Sequence, residues 1–154
     1  MKKLILIAVA VLFLMPSIAS AAWTITATVE QKLYWGNGRY IYRVKLACLS
    51  DGADPAEVLL SSYLTGNDRV YEGALLYQIE TDPGVAPDAV WAVDFDTDLG
   101  ADILDLAGLS VTATELHDVD AGVGFYPIVF DVGIDIGDIG SAADTVDIYL
   151  YFIK

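Results

Sequence analysis

The chain has 154 residues, with 8 Lys or Arg against 22 Asp or Glu and a formal charge of −14. That surplus repels a phosphate backbone and excludes nucleic-acid binding through a basic surface. A hydrophobic fraction of 55% is too high for a disordered acidic tail. One Cys and one His exclude a disulfide framework, a Cys-rich zinc site and a two-His ligand set, and the length suits one domain around one core.

Met1-Lys2-Lys3 is a short basic start, Leu4 to Met15 is an unbroken apolar run, and Pro16 to Ala22 reads PSIASAA. Small residues at positions −3 and −1 of Ala19-Ser20-Ala21 make residues 1–21 a secretory signal peptide. The apolar run is shorter than the roughly 20 residues that cross a bilayer, so no membrane span is expected after cleavage. The exported domain is residues 22–154, located in the periplasm, outside the cell or on a cell or particle surface. Losing Lys2 and Lys3 leaves 6 basic against 22 acidic residues, a net charge of −16.

From Trp23 onward, Ile25, Ala27 and Val29 alternate with Thr24, Thr26, Thr28 and Glu30, the period-two pattern of a half-buried strand. Gly36-Asn37-Gly38 reads as a hairpin turn into a second strand, Arg39 to about Leu49. In that strand Tyr40, Tyr42, Val44, Leu46 and Cys48 share one face, with Arg43 and Lys45 on the other. Lys32, Arg39, Arg43 and Lys45 are four of the six basic residues left after processing, so the hairpin's outer face is expected to be the one locally basic surface. A loop over Ser50 to Pro55 leads to an apolar run around Val58 to Leu64, and Gly66-Asn67-Asp68 is turn-like. Tyr71 to Ile79 offers a fourth strand. Pro83 and Pro87 bracket a surface loop, and Ala89 to Phe95 is a fifth strand.

Asp102 to Ala107 (DILDLA) has the spacing of a helical turn or two, capped by Asp98 and ended by Gly108. Beyond a less regular stretch, Ser110 to Gly124, the run Ile128 to Ile136 alternates Val132, Ile134 and Ile136 with Asp131, Gly133 and Asp135. Gly137 to Asp144 is a turn. Thr145 to Ile153 carries Val146, Ile148, Leu150 and Phe152 on one face. About seven short strands predict an all-β fold: a single β-sandwich, immunoglobulin-like or jelly-roll-like, with one short helix.

The sharpest chemical cluster is Asp94, Asp96 and Asp98, continued by Asp102 and Asp105. Carboxylates at alternate positions can converge on a hard cation such as calcium. The match to an EF-hand loop is partial, because Leu99 stands where Gly is required and Asp105 where Glu is usual. The competing reading puts Asp94 and Asp96 on the solvent side of a strand end, with Asp98 as a cap. Asp131, Asp135, Asp138, Asp144 and Asp147 are expected on a hydrated outer face of the last two strands. His117 has no triad partner in the sequence, and Cys48 reads as a small buried hydrophobe. Trp23, Trp35, Trp91 and the nine Tyr could form a sugar-stacking platform, although aromatic residues in strands more often serve the core.

The segments Tyr34 to Gly52 (YWGNGRYIYRVKLACLSDG), Val93 to Glu115 (VDFDTDLGADILDLAGLSVTATE) and Val146 to Lys154 (VDIYLYFIK) resemble small uncharacterised β-rich proteins often encoded in phage and prophage structural regions. The resemblance implies a virion or particle-surface component without enzymatic activity. The signal peptide departs from that pattern, since virion proteins assemble in the cytoplasm. The function expected is therefore that of an exported, non-enzymatic structural or surface-interaction protein that self-associates or binds a protein partner. The alternative is an extracellular carbohydrate- or calcium-dependent binding module. An outer-membrane barrel is a poorer fit, because eight strands of about 9 to 11 residues are hard to place around the Asp/Gly-rich loops.

Overall fold

The computed structural model describes residues 24–50, 57–84, 90–97, 99–119, 124–129, 131–137 and 144–154. The expected signal segment, Trp23, the loop around Pro87, Asp98 and Asp138 lie outside these residues. The alternating Thr/apolar segment forms β1 (Thr24–Gly36), which returns through Asn37-Gly38 into β2 (Arg39–Leu49). Both turn residues have positive φ, 51° and 78°, the geometry that joins antiparallel strands without splaying them and that Asn-Gly tolerates best. The strands that follow are β3 (Val58–Leu59), β4 (Leu75–Asp82), β5 (Trp91–Thr97), β6 (Asp102–Leu109), β7 (Glu115–Asp118), β8 (Tyr126–Pro127), β9 (Val132–Gly137) and β10 (Thr145–Ile153).

These strands make two antiparallel sheets, one ordered β1-β2-β10-β4-β7 with β8 beside β4, the other β3-β9-β5-β6. The fold is all-β. The sheets pack through the faces that the alternation marks. Val44, Leu46 and Cys48 of β2, Val146, Ile148, Leu150 and Phe152 of β10, and Leu76 and Ile79 of β4 are buried in one core. That core also takes Trp91, Val93 and Phe95 of β5 and Val132, Ile134 and Ile136 of β9. Burying each such side chain contributes about 1.5–3 kcal/mol, and no other cluster of comparable size is present among the described residues.

Residues 102–107 are not a helical turn. They are strand β6, paired with β5. DILDLA carries both an i, i+3 and a period-two pattern, and a neighbouring strand decides between them. Gly108, with φ of 70°, is the extra residue of a bulge where Ala107 and Gly108 together oppose Ala92. The run after residue 57 is only the short β3 followed by a 3₁₀ turn at Leu60–Ser62. The fourth strand begins at Leu75, because Tyr71–Ala74 closes a turn with Gly73 at φ 66°. Pro83, expected in a surface loop, is buried. The irregular stretch after Ser110 contains β7, whose Leu116 points to solvent and so breaks the expected pattern.

The acidic residues near the last two strands do not share a face, because β9 and β10 belong to different sheets. The Asp131 carboxylate accepts the backbone N–H groups of Ser61 and Val132 at 3.1 and 2.9 Å. Asp144 is buried and Asp147 pairs with Lys45. Among the described residues of that set, only Asp135 stands fully exposed as expected.

Candidate functional site

Strand register brings together three groups of residues that are far apart in sequence. The first is the outer face of the large sheet. Arg43 on β2 opposes Tyr151 on β10, which opposes Gln78 on β4, and Glu80 lies one outward position further along β4. The Arg43 guanidinium contacts Glu30 at 3.2 Å and Glu80 at 3.5 Å, and its carbon lies 3.8 Å from the centre of the Tyr149 ring. Tyr151 donates its hydroxyl to Glu80. Burial, followed by that bond to a carboxylate, pushes the Tyr151 phenol up to about 12. Beside it, Lys45 binds Asp147 at 2.7 Å, and the hydrogen bond to Asp147 raises the Lys45 ammonium above its ordinary value. Arg43 and Lys45 are thus tied down by Glu30, Glu80 and Asp147, so the middle of this face is not the basic surface the composition suggested, and Arg39 near the turn is left without a carboxylate partner among the described residues.

The second group is acidic and lies on the outer face of the small sheet. Asp94 on β5 is flanked in register by Asp105 on β6 and Asp135 on β9, and Asp96 opposes Asp102. Gly133 completes the row beside Asp96, and a β-carbon there would collide with the Glu57 carboxylate that lies over it. One oxygen each of Asp94 and Asp96 is buried with no hydrogen-bond partner. Burial first, then repulsion from Asp96, Asp105 and Asp102, raises the Asp94 pKa. Asp96 is raised by burial and then by Asp102. Asp94 and Asp96 thus share the outer face of β5, whereas Asp98 lies outside the described residues. Among the described residues no group of three or more His, Cys, Asp or Glu side chains is arranged to hold a metal ion.

The third group is the hairpin tip. Leu33, Tyr34 and Trp35 are 56, 66 and 62% exposed, on the edge strand of the large sheet. A bulge between Val29 and Gln31 switches the faces of β1, so Lys32 comes to lie over Tyr40 and Tyr42, at 4.3 and 5.3 Å from the ring centres. Tyr34 packs edge-on against Tyr40, and its hydroxyl accepts the Gly38 N–H. The tip is thus a braced aromatic ledge. Trp91, by contrast, is buried and donates its indole N–H to the Ser110 carbonyl, so it takes no part in any exposed platform.

Cys48 sits on the inner face as expected, whereas His117, expected at the surface or as a cap, is half-buried. The His117 ring lies 3.1 Å from the Thr81 hydroxyl, and burial lowers its pKa against a smaller opposing pull from Glu115. Cys48 is a free thiol that burial pushes up to about 12, too protonated to react. At one end of the sandwich, Leu99, Ala101, Tyr126, Pro127 and Val129 line a cavity of about 290 Å³. No residue pattern in the sequence points to it, because its walls come from the β5–β6 turn and from the segment around β8. No protein-family model matches the chain, and no curated protein is detectably similar to it.

Proposed function

We propose that this is an exported, non-enzymatic interaction protein whose β-sandwich serves to present the β1–β2 hairpin tip to a partner. The observation that carries this reading is the exposure of the consecutive residues Leu33, Tyr34 and Trp35 around a braced tip. Leaving three large apolar side chains in water is unfavourable unless a partner covers them, and aromatic anchors of this kind dominate binding energy at interfaces. Periplasmic or surface residence and kinship with phage-region particle proteins belong to the same proposal. A Trp35→Ser variant tests it: the melting temperature should hold while self-association or capture on cells is lost. Unchanged capture by the variant removes the reading.

A second reading, a calcium-dependent binding module, draws on the unpartnered Asp94 and Asp96 oxygens. It requires the melting temperature to rise with millimolar calcium, since a ligand of the folded state stabilises it by mass action. Equal melts in chelator and calcium dispose of it.

A further inference from the structure

We propose that the hairpin tip and the cavity beside β8 are the two halves of one reciprocal contact, through which two copies of the chain dock end to end about a two-fold axis. This rests on the reading of the tip as an interaction element and names its partner.

The register places both features at the same end of the sandwich. Leu33 at the tip opposes Ile41, Ile41 opposes Ile153, Ile153 opposes Leu75, and Leu75 opposes Pro127 in the cavity wall. The row crosses four strand spacings, so knob and hole lie roughly 19 Å apart on one end face. A knob and hole on opposite ends build an open filament. On one end they let each copy give its tip and receive the other's, which closes at two chains.

Size and charge select the occupant. A cavity of about 290 Å³ falls at the bottom of the range of roughly 300–1,000 Å³ that small-molecule sites span, and suits one large side chain better than a ligand. Leu99 on its rim is 78% exposed, an apolar residue with no cover of its own. Trp35 makes no ring contact among the described residues, whereas Tyr34 is braced, so Trp35 is the side chain free to enter. Lys32 and Arg39 on the tip, with Lys154 beside Tyr40, have no carboxylate partner among the described residues. The cavity is lined in part by Asp131, and its wall residue Ala101 is followed by Asp102 at the start of β6. On a chain of charge −14, this end face is where two copies meet opposite rather than like charge.

The purified chain with Trp35→Cys and Leu99→Cys, oxidised gently, should form a covalent dimer and stop there. Each single variant should remain uncrosslinked, and buried Cys48 should stay out of the reaction. Sedimentation velocity should show a dimer for the unaltered chain and at least a tenfold weaker one for Trp35→Ser and for Leu99→Ser, at unchanged melting temperature. A ladder of larger crosslinked species overturns the two-fold closure in favour of a head-to-tail chain. A monomer at every concentration overturns self-docking altogether. If that monomer is still captured on cells through Trp35, only this inference fails. If Trp35→Ser changes neither property, the interaction reading fails with it.

Discussion

The outer faces of the two sheets handle charge in opposite ways. On the large sheet the outward carboxylates of Glu30, Glu80 and Asp147 meet cations: Glu30 and Glu80 meet Arg43, and Asp147 meets Lys45. On the small sheet Asp94, Asp105 and Asp135 stand in one cross-strand row, and Asp96 faces Asp102, with no cation among the described residues in contact with any of them. The large sheet is stabilised by its outer layer, whereas the small sheet holds together despite its own. Its cohesion must come from the core side of β5 and β9, where Trp91, Val93, Phe95, Ile134 and Ile136 are buried.

The sharpest way to break the contrast is to remove the hub of the paired face. Arg43→Ala leaves Glu30 and Glu80 without their shared cation on either side of β2 and β10 and uncovers the Tyr149 ring, and it should lower stability by about 2 kcal/mol in urea unfolding at pH 7. A loss under half of that makes the cation layer ornamental. On the other sheet the sign reverses. Asp94→Asn relieves repulsion on both sides and should raise stability by about 0.5–1 kcal/mol at neutral pH, taking a few tenths for each like-charged cross-strand pair.

The pH dependence follows from the same groups. The pKa values of Asp94 and Asp96 are raised on folding, so the native state binds more protons than the unfolded chain just above the ordinary carboxylate value of 3.8. Through that window their contribution to stability falls as pH rises, and the Asn advantage should vanish at pH values low enough to protonate both states. His117 works the other way. Its folded pKa is lowered below 6.5, so the stability tied to its neutral form is full above that value and is lost as pH falls below it. Unfolding curves from pH 7 to 5.5 should therefore show a small loss in the unaltered chain that is absent in His117→Gln. The smallest effect concerns association. With a formal charge of −14 on each chain, long-range repulsion outweighs the few opposite charges at the end-face contact, and raising salt from 0.05 to 0.5 M should strengthen the dimer modestly as the Debye length shrinks.

The sequence made some of this legible and hid the rest for physical reasons. β1, β2, β9 and β10 could be read because each has one dry and one wet face, and Asn37-Gly38 because few residue pairs accept two positive φ angles in succession. β6 was misread because a short Asp/Leu pattern satisfies two periodicities, and β7 was missed because its one large apolar residue, Leu116, faces water. The candidate sites depended on register. That Asp94 would stand between Asp105 and Asp135 follows only once β9 is placed beside β5, with Asp135 lying 41 residues beyond Asp94 along the chain. The Arg43 cluster likewise gathers Glu30, Glu80, Tyr149 and Tyr151 from three other strands. The bulge at Val29–Gln31, which puts Lys32 over the tyrosines, left no mark in the residue pattern.

The position of β10 between β2 and β4 also sets the order in which the molecule can fold. The β1–β2 hairpin is local and has a favourable turn, so it can close within microseconds. Its inner row of Val44, Leu46 and Cys48 then waits for partners, because Ile41 and Ile153 are paired although more than a hundred residues separate them in the chain. Such distant pairing is slow to find. Until β10 arrives, the large sheet lacks its centre, and an early hairpin with one sticky face and an aromatic tip is the species most exposed to misassembly. A chain with this topology stays unfolded longest while it is being made, the condition under which it can be threaded through a narrow pore.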